Sequence, residues 1–331
     1  GDNLLVTTGG VGIGPNGTVN VVDGDLTVTS GSNSIQSGYS ENAKVEILAN
    51  NVTLNSGKNG ILTTGTNLGS DNKYTSTVLV GSEDRKIQSL TINADGNGID
   101  NQAGNIYIYG SDNSEIDIST NGTSYESEDK RAAIHNGYWK GEILVNGGTI
   151  TLSTTTGHGI STWNGTTTLN SNQIDITTEG NKDSNGIDTQ GGTTTLNSDT
   201  ITIKTERKDG IFSSGSGTTS LNSNGVAITA GGSYSIYNTN GTVSLNTKGN
   251  NTINIDSYGG YGVYSEGYGQ INVIASANAN PDGWAENSTL GESAYSNHIL
   301  TDGCGISSSR SATINVMADH TNRIMGSSSG I

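Results

Sequence analysis

The sequence is poor in several residue types that shape most folds. Its 331 residues include one cysteine, two prolines and one phenylalanine, and only 14% of them are charged. The single cysteine, Cys304, excludes an internal disulfide, and we predict it to be a small core residue. No stretch approaches the roughly 20 consecutive apolar residues of a membrane helix, so we expect no membrane insertion by this sequence.

Positive charge is also scarce. Fifteen Lys and Arg face 31 Asp and Glu, which gives a net charge of −16. Recognition of nucleic acid needs a basic surface, so we expect no nucleic-acid partner. The four histidines, His135, His158, His298 and His320, lack the paired spacing of metal ligands, and no calcium-binding nonapeptide occurs. The sequence therefore predicts no metal and no cofactor.

What the sequence has in abundance is a repeat. The clearest copy reads Gly-Ile-Asp-Thr at 186–189, Thr-Thr-Leu-Asn at 194–197 and Ile-Thr-Ile-Lys at 201–204, and three related copies lie between 159 and 256. Each copy holds three short segments in which apolar and polar residues alternate, as in half-buried strands. Gly, Ser and Asn separate the segments, as turns require. Such a repeat indicates one coil of a solenoid.

The position after the Gly of each copy can be followed along the whole chain. These anchors are Ile13, Ile35, Ile61, Ile99, Ile134, Ile160, Ile187, Ile211, Ile236, Val263, Ile306 and Ile331. Eight of the eleven intervals between them are 22 to 27 residues long. The pattern predicts an all-β fold, a parallel β-helix of about eleven coils with three strands each. The preference of parallel crossovers for one hand makes it right-handed. We expect one domain over residues 1–331.

The three longer intervals predict insertions. They fall near residues 65–74, 121–130 and 275–301, and the last contains Trp284. Added length on a rigid scaffold is where binding residues are commonly carried. Neutral surface decoration is the alternative interpretation.

The residue after each anchor is predicted to point outward, opposite to the buried Ile. In three successive coils this residue is Phe212, Tyr237 and Tyr264, which predicts a row of outward aromatic rings about 5 Å apart. With Tyr268 and Trp284, these are the candidate binding residues, for a protein or for a sugar face. A stacking ladder that only stabilises neighbouring coils is the alternative.

Residues for catalysis are not grouped in the sequence. Gly157-His158-Gly159 is similar to a motif of pectin-cleaving β-helix hydrolases, but the Asp-Asp and Asn-Thr-Asp partners of that signature are missing. An enzyme on this scaffold would need groups such as Asp100, His135, Asp188 or Glu266 to converge. Asp100 and Asp188 are about three coils apart, too far to act on one bond. We therefore predict no catalytic residues.

The repeats Gly-Ile-x-Thr, Thr-Thr-x-Leu-Asn-Ser and Ile-x-Ile-Thr-Thr resemble the passenger domains of bacterial type V autotransporter adhesins. The resemblance covers nearly the whole chain. It implies a right-handed β-helix displayed outside the outer membrane of a Gram-negative cell. It also implies that the given sequence is a piece of a longer protein.

The function expected from this resemblance is non-enzymatic adhesion. The partner would be a host-cell or bacterial surface protein or glycan, or a second copy of the chain, as in biofilm. A polysaccharide lyase or hydrolase is one alternative. A purely structural stalk, such as a phage tail or surface-layer rod, is the other.

Overall fold

The computed structural model describes residues 3–38, 43–64, 76–121, 131–137, 140–180, 184–255, 260–276, 296–301 and 303–326. These residues form strands and no helix. The chain divides into two compact units, unit 1 (1–172) and unit 2 (173–331). Each unit is a parallel β-helix, which confirms the predicted fold class.

Unit 1 contains short strands that recur in the order expected for successive coils. They are β1 (Leu4–Thr8), β2 (Gly17–Asn20), β3 (Asp25–Ser30), β4 (Ile35–Ser37), β5 (Lys44–Leu48), β6 (Asn51–Ser56), β7 (Ile61–Thr63), β8 (Ser76–Val80), β9 (Ile87–Ala94), β10 (Ile99–Asn101), β11 (Gly104–Thr120), β12 (Ala132–Asn136), β13 (Glu142–Asn146), β14 (Thr149–Thr154) and β15 (His158–Thr162). The next strand, β16 (Thr166–Thr178), contains the division in sequence between the two units.

Unit 2 repeats the same order of strands. They are β17 (Ile187–Thr189), β18 (Thr193–Thr205), β19 (Ile211–Ser214), β20 (Thr218–Ala230), β21 (Tyr234–Thr239), β22 (Thr242–Thr247), β23 (Asn251–Ile255), β24 (Tyr261–Glu266), β25 (Gln270–Ala275), β26 (Ser296–Thr301), β27 (Cys304–Ser308), β28 (Thr313–Ala318) and β29 (Thr321–Gly326).

The predicted anchors set the register of the coils in both units. In unit 1 the strands pair so that Ile35 lies beside Ile61, Ile61 beside Ile99, and Ile99 beside Ile134. In unit 2 the same holds for Ile187, Ile211, Ile236, Val263 and Ile306. Nearly all these side chains are fully buried, and even Ile306 is only 9% exposed. Burial of each contributes about 1.5–3 kcal/mol, which fixes the register. The last predicted anchor, Ile331, lies outside the described residues.

The three strands of a coil are not always separate. In β11, one continuous strand pairs with β8 through its first part and with β9 through its second part. The strands β18 and β20 are continuous in the same way, and they pair with each other along their length. The predicted third turn is therefore a bend within one strand in these coils. The strand continues through Gly110 in β11 and through Gly225 in β20, so a glycine at the junction does not interrupt it.

A packing rule explains the small residue before each anchor in unit 1. A Cβ added at Gly12, Gly60 or Gly98 would overlap a branched methyl of Val28, Ile92 or Ile118, respectively. Where the residue in register with these is Leu54 or Leu152, which is not branched at Cβ, the position before the anchor is Ser34 or Ala133. β-Branching of the core residue opposite therefore favours glycine, as does a backbone carbonyl oxygen of the next coil, which would lie 2.5–2.7 Å from the added Cβ.

A side-chain ladder caps the entry to the anchor strands. The Asn33 Oδ1 accepts the backbone N–H of Asn59 at 3.1 Å, the Asn59 Oδ1 accepts that of Asn97 at 2.9 Å, and the Asn97 Oδ1 accepts that of Ala132 at 2.8 Å. In unit 2, the Asp209 Oδ1 accepts the backbone N–H of Tyr234 at 3.1 Å. The ladder satisfies buried backbone donors that would otherwise lack partners.

Most residues of the three predicted insertions are not among the described residues. The parts outside the description are 65–74, 122–130 and 277–295. The end of the third insertion is described, because β26 pairs with β23 and with β29 and supplies the third strand of its coil. Cys304 is half-buried rather than part of the core. Its position at the start of β27, before the buried anchor Ile306, explains the difference.

Candidate functional site

Five aromatic residues of unit 2 form one cluster, which we call the tyrosine ladder: Phe212, Tyr234, Tyr237, Tyr261 and Tyr264. Strand pairing places Phe212 beside Tyr237, and Tyr237 beside Tyr264, as predicted. The same pairing places Tyr234 beside Tyr261. The ladder therefore has two columns, one on each side of the anchor position.

The rings of the two columns are in mutual contact. Ring centroids of Phe212 and Tyr237 lie 5.3 Å apart, and those of Tyr237 and Tyr264 lie 5.6 Å apart. Tyr234 stacks on Tyr237 at 4.6 Å and on Tyr261 at 5.5 Å. These separations lie within or near the favourable range for aromatic pairs. The predicted spacing of about 5 Å is confirmed, and the ladder stabilises neighbouring coils whatever else it does.

Sequence reasoning missed that Tyr234 and Tyr261 belong to the same cluster as Phe212, Tyr237 and Tyr264. The signal was available, because each lies two residues before its anchor, Ile236 or Val263. Mutual contact leaves all five residues half-buried. The prediction that Phe212 is exposed to solvent is therefore wrong. The phenyl ring is covered on one side by Tyr237.

Hydrogen bonds fix the hydroxyl edge of the tyrosine ladder. The Tyr237 hydroxyl donates to Glu266 Oε1 at 2.8 Å, and the Tyr264 hydroxyl lies 3.3 Å from Ser309 Oγ. Burial, together with the Glu266 carboxylate, raises the pKa of Tyr237 above its usual value of 10.0. The pKa of Tyr234 is raised by burial and then by the neighbouring tyrosines and carboxylates. The Tyr234 and Tyr237 hydroxyls therefore stay protonated at neutral pH, and that of Tyr237 acts as a donor to Glu266.

One exposed aromatic residue follows the ladder in sequence, four residues after Tyr264. Tyr268 is 82% exposed and lies in the turn between β24 and β25. Its backbone N–H donates to Asn240 Oδ1 at 2.9 Å, and Gly269 N–H donates to the Glu266 carbonyl at 3.1 Å. The preceding Gly267 has φ of +68°, which favours glycine. We call residues 266–269 the Tyr268 turn.

Asp209 lies at the lower end of the Tyr234 column and is 4% exposed. Burial raises the pKa of its carboxyl from 3.8 to about 6, although Lys208 and the Tyr234 N–H oppose the shift. Asp188 in the preceding coil adds to the rise. The coil that precedes Tyr234 thus contributes a buried carboxyl group, that of Asp209, whose pKa is about 6.

Three of the corresponding outward positions of unit 1 are polar and buried. Asp100, His135 and Ser161 follow one another in register, and their exposed fractions are 0%, 3% and 0%. The prediction that they face solvent is wrong, as it is for Leu62 (7%) and, in unit 2, Asp188 (4%). Side chains from adjoining columns take up the space outside this row.

Contacts of Asp100 and His135 show how the row is covered. Asn59 Nδ2 and Gln102 Nε2 donate to Asp100 Oδ2 at 3.3 and 2.9 Å. The Trp163 ring packs edge-on against His135 with centroids 5.8 Å apart. Of the four residues considered for an enzyme, the register brings Asp100 beside His135, buried from solvent. Asp188 pairs with Phe212, whereas Glu266 pairs with Thr239. Trp284, the remaining candidate binding residue, lies outside the described residues.

Unit 1 also has a polar surface cavity of about 360 Å³. It is lined by Asn105, Lys140, Gly141, Glu142, Asn164, Gly165 and Thr166. The Tyr107 hydroxyl donates to Glu142 Oε2 at 2.8 Å, and burial followed by this contact raises the pKa of Tyr107 to about 12. Among the described residues that line this cavity there is no aromatic ring, which distinguishes them chemically from the Tyr268 turn.

Comparison with known proteins gives no direct assignment. No family model, curated protein or solved structure matches the chain. Within the described residues, no group of three or more His, Cys, Asp and Glu could hold a metal ion, and no helix could cross a membrane. Function must therefore be inferred from the residues themselves.

Proposed function

We propose that this protein is a non-enzymatic cell-surface adhesin that binds through the outward face of unit 2. The observation that carries the proposal is the 82% exposed ring of the Tyr268 turn, which Glu266 links to the tyrosine ladder by accepting the Tyr237 hydroxyl. Aromatic residues, tyrosine among them, are enriched where proteins meet their partners.

The outer faces of both units favour contact by many weak bonds. Asn side chains of adjacent coils hydrogen-bond in rows, as in Asn170 to Asn146 at 2.8 Å and Asn315 to Asn272 at 2.9 Å. Such rows fix the amide groups on the surface, so binding would order few side chains. Preorganised groups of this kind lower the entropic cost of association.

The buried state of Asp100 and His135 weighs against the alternative of a polysaccharide-degrading enzyme. A general acid or base must lie within hydrogen-bond reach of its substrate. Asp100 is fully buried and accepts two hydrogen bonds from Asn59 and Gln102, which is typical of a structural carboxylate. A purely structural stalk would not need an exposed ring on a constrained turn.

The proposed location is the bacterial cell surface, as the autotransporter resemblance implies. The partner is a host-cell or bacterial surface protein or glycan, and the same surface can meet a second copy of the chain in biofilm. The net charge of −16 disfavours close contact between copies at low salt, so self-association should strengthen as salt screens it.

A display assay tests the proposal. The protein is coupled to beads, and adhesion is scored with beads alone, with host cells and with unrelated bacteria, at low and high salt. We expect adhesion in at least one arm, and loss of that adhesion with Tyr268→Lys. Thr27→Lys, on a half-buried outward position of unit 1, is the control. Absence of adhesion in every arm would contradict the proposal and leave a structural rod.

A further inference from the structure

We propose that the Tyr268 turn is a carbohydrate-binding site, in which one sugar ring of a glycan stacks on Tyr268 and bonds to Glu266, Asn240 and Arg310 through its hydroxyl groups. This inference rests on the proposed function and deepens it, because it names the class of ligand that the adhesive surface recognises. It is carried by the backbone geometry of four successive turns.

Each of four successive turns in unit 2 contains one residue with a left-handed backbone conformation. Gly215, Asn240, Gly267 and Arg310 have φ of +61°, +69°, +68° and +61° and occupy equivalent positions in successive coils. In three of the turns, one further residue forms the tip before the next strand: Ser216, Tyr268 and Ser311. The recurring backbone conformation makes each tip a fixed point on the scaffold.

The Asn240 turn is one residue shorter and has no tip. Only two residues separate Thr239 from Thr242, whereas three separate Glu266 from Gln270. Tyr268 therefore has no tip residue beside it on one side, and it has the small Ser311 on the other. This spacing leaves room for a flat ligand against the ring and explains its 82% exposure.

Hydrogen bonds to the Asn240 turn hold the Tyr268 turn in a defined conformation. Asn240 Oδ1 accepts the Tyr268 N–H, and a Cβ at Gly267 would overlap the Asn240 amide. Asn240 N–H donates to the Glu266 carbonyl at 3.4 Å, which ties the two turns together. A ring held on such a turn loses little freedom on binding, so stacking on it is favourable.

The polar groups at this corner are both donors and acceptors. Glu266 accepts from Tyr237 through Oε1, and no partner of its Oε2 is found among the described residues. Arg310 is exposed and carries several N–H donors, and Asn240 offers an amide. Hydroxyl groups both donate and accept, and the apolar C–H face of a sugar ring packs on an aromatic ring. This combination of a flat ring and mixed polar groups suits a sugar better than it suits a cation or an apolar peptide.

A glycan array of neutral and acidic oligosaccharides, followed by titration of the strongest hit, tests the inference. We expect binding that weakens about tenfold in Tyr268→Ala, since an aromatic contact is worth about that factor. Tyr268→Phe keeps the ring and should stay within about twofold of the wild type. Glu266→Gln should weaken binding severalfold, because it removes a charged acceptor. Met317→Ala, at a 53% exposed apolar residue of the same unit, should have no effect.

Three results would overturn the inference: no glycan binding by the wild type, binding that Tyr268→Ala leaves unchanged, or capture of a basic peptide through Tyr268 in place of a glycan. Circular dichroism of each variant checks its fold. Beads that adhere to cells without any glycan binding would refute only the carbohydrate site. Glycan binding without bead adhesion would refute only the adhesin proposal.

Discussion

The outward column of unit 1 and that of unit 2 occupy the same position after the anchor, yet they differ in chemistry. In unit 1 it contains Asp100, His135 and Ser161, which are buried, whereas in unit 2 it contains Phe212, Tyr237 and Tyr264, which are half-buried. The inward residues of the two units are nearly identical branched aliphatic side chains. The comparison indicates that the buried anchors determine the register of each outward column. The residue types within the column can differ between the units, and so can its function.

The strongest test of this separation removes an inward residue. Ile236→Ala empties a fully buried anchor between Ile211 and Val263, and we expect a loss of about 2–5 kcal/mol in the free energy of unfolding. Urea denaturation measures it. The adjacent Tyr237→Ala removes an outward, half-buried ring and should cost less, because part of that ring is already in contact with water. Equal losses would mean that the outward column is part of the core.

The second prediction concerns pH and the carboxyl of Asp209. Because its pKa in the fold is raised from 3.8 to about 6, the folded protein holds a proton that the unfolded chain has released between these values. Stability should therefore fall as pH rises from about 4 through 6. Asp209→Asn should abolish this fall and stabilise the protein at pH 8 by up to about 3 kcal/mol.

Asn59 and Asn97 of unit 1 hold the equivalent position and cap the next backbone N–H, so asparagine fits the site. Thermal unfolding between pH 3 and 8 gives the comparison. The exposed Asp117→Asn serves as the control and should leave the pH profile unchanged. A variant Asp209→Asn that keeps the wild-type profile would refute the assignment.

The packing rule of unit 1 gives the third prediction. Gly98→Ala places a Cβ against the branched methyl of Ile118, and we expect a loss of about 1–3 kcal/mol from overpacking. Ile118→Leu removes that methyl and should restore most of the loss in the double variant, as the natural pair Ala133 and Leu152 suggests. Chemical denaturation of the four proteins forms a double-mutant cycle. Additive losses would disprove the rule.

The smallest expected effect compares two matched hydrogen bonds. Tyr107 donates to Glu142 in unit 1, and Tyr237 donates to Glu266 in unit 2, both at 2.8 Å. Removal of either hydroxyl by phenylalanine should cost about 1–2 kcal/mol, because the acceptor is charged. Denaturation measures both variants side by side. A cost confined to one unit would show that the two bonds are not equivalent.

The sequence allowed the coil register to be predicted because the core is periodic. Ile61, Ile99 and Ile134 recur in strand segments, and their burial leaves one consistent pairing. Pairing then predicted the row of Phe212, Tyr237 and Tyr264. Period-two alternation determines which way a side chain points.

Burial of the outward residues could not be predicted in the same way. Asp100 is covered by Asn59 and Gln102, and His135 by Trp163, all of which lie outside the anchor strands. Alternation within a strand assigns each side chain to a face, but it does not reveal which residues from the corners pack over that face. The openness around Tyr268 likewise depends on the missing tip residue of the Asn240 turn, which is visible only once the coils are paired.

The most direct test converts the column of unit 2 to the chemistry of unit 1. Tyr237→Ser with Tyr264→Ser gives that column the residue found at Ser161, and Tyr107→Ser with Tyr109→Ser is the matched control on half-buried tyrosines of unit 1. Adhesion of bead-bound protein is compared after circular dichroism confirms both folds. We expect the unit 2 variant to lose adhesion and the control to keep it. Undiminished adhesion by the unit 2 variant would contradict the proposal that its aromatic face is the contact surface.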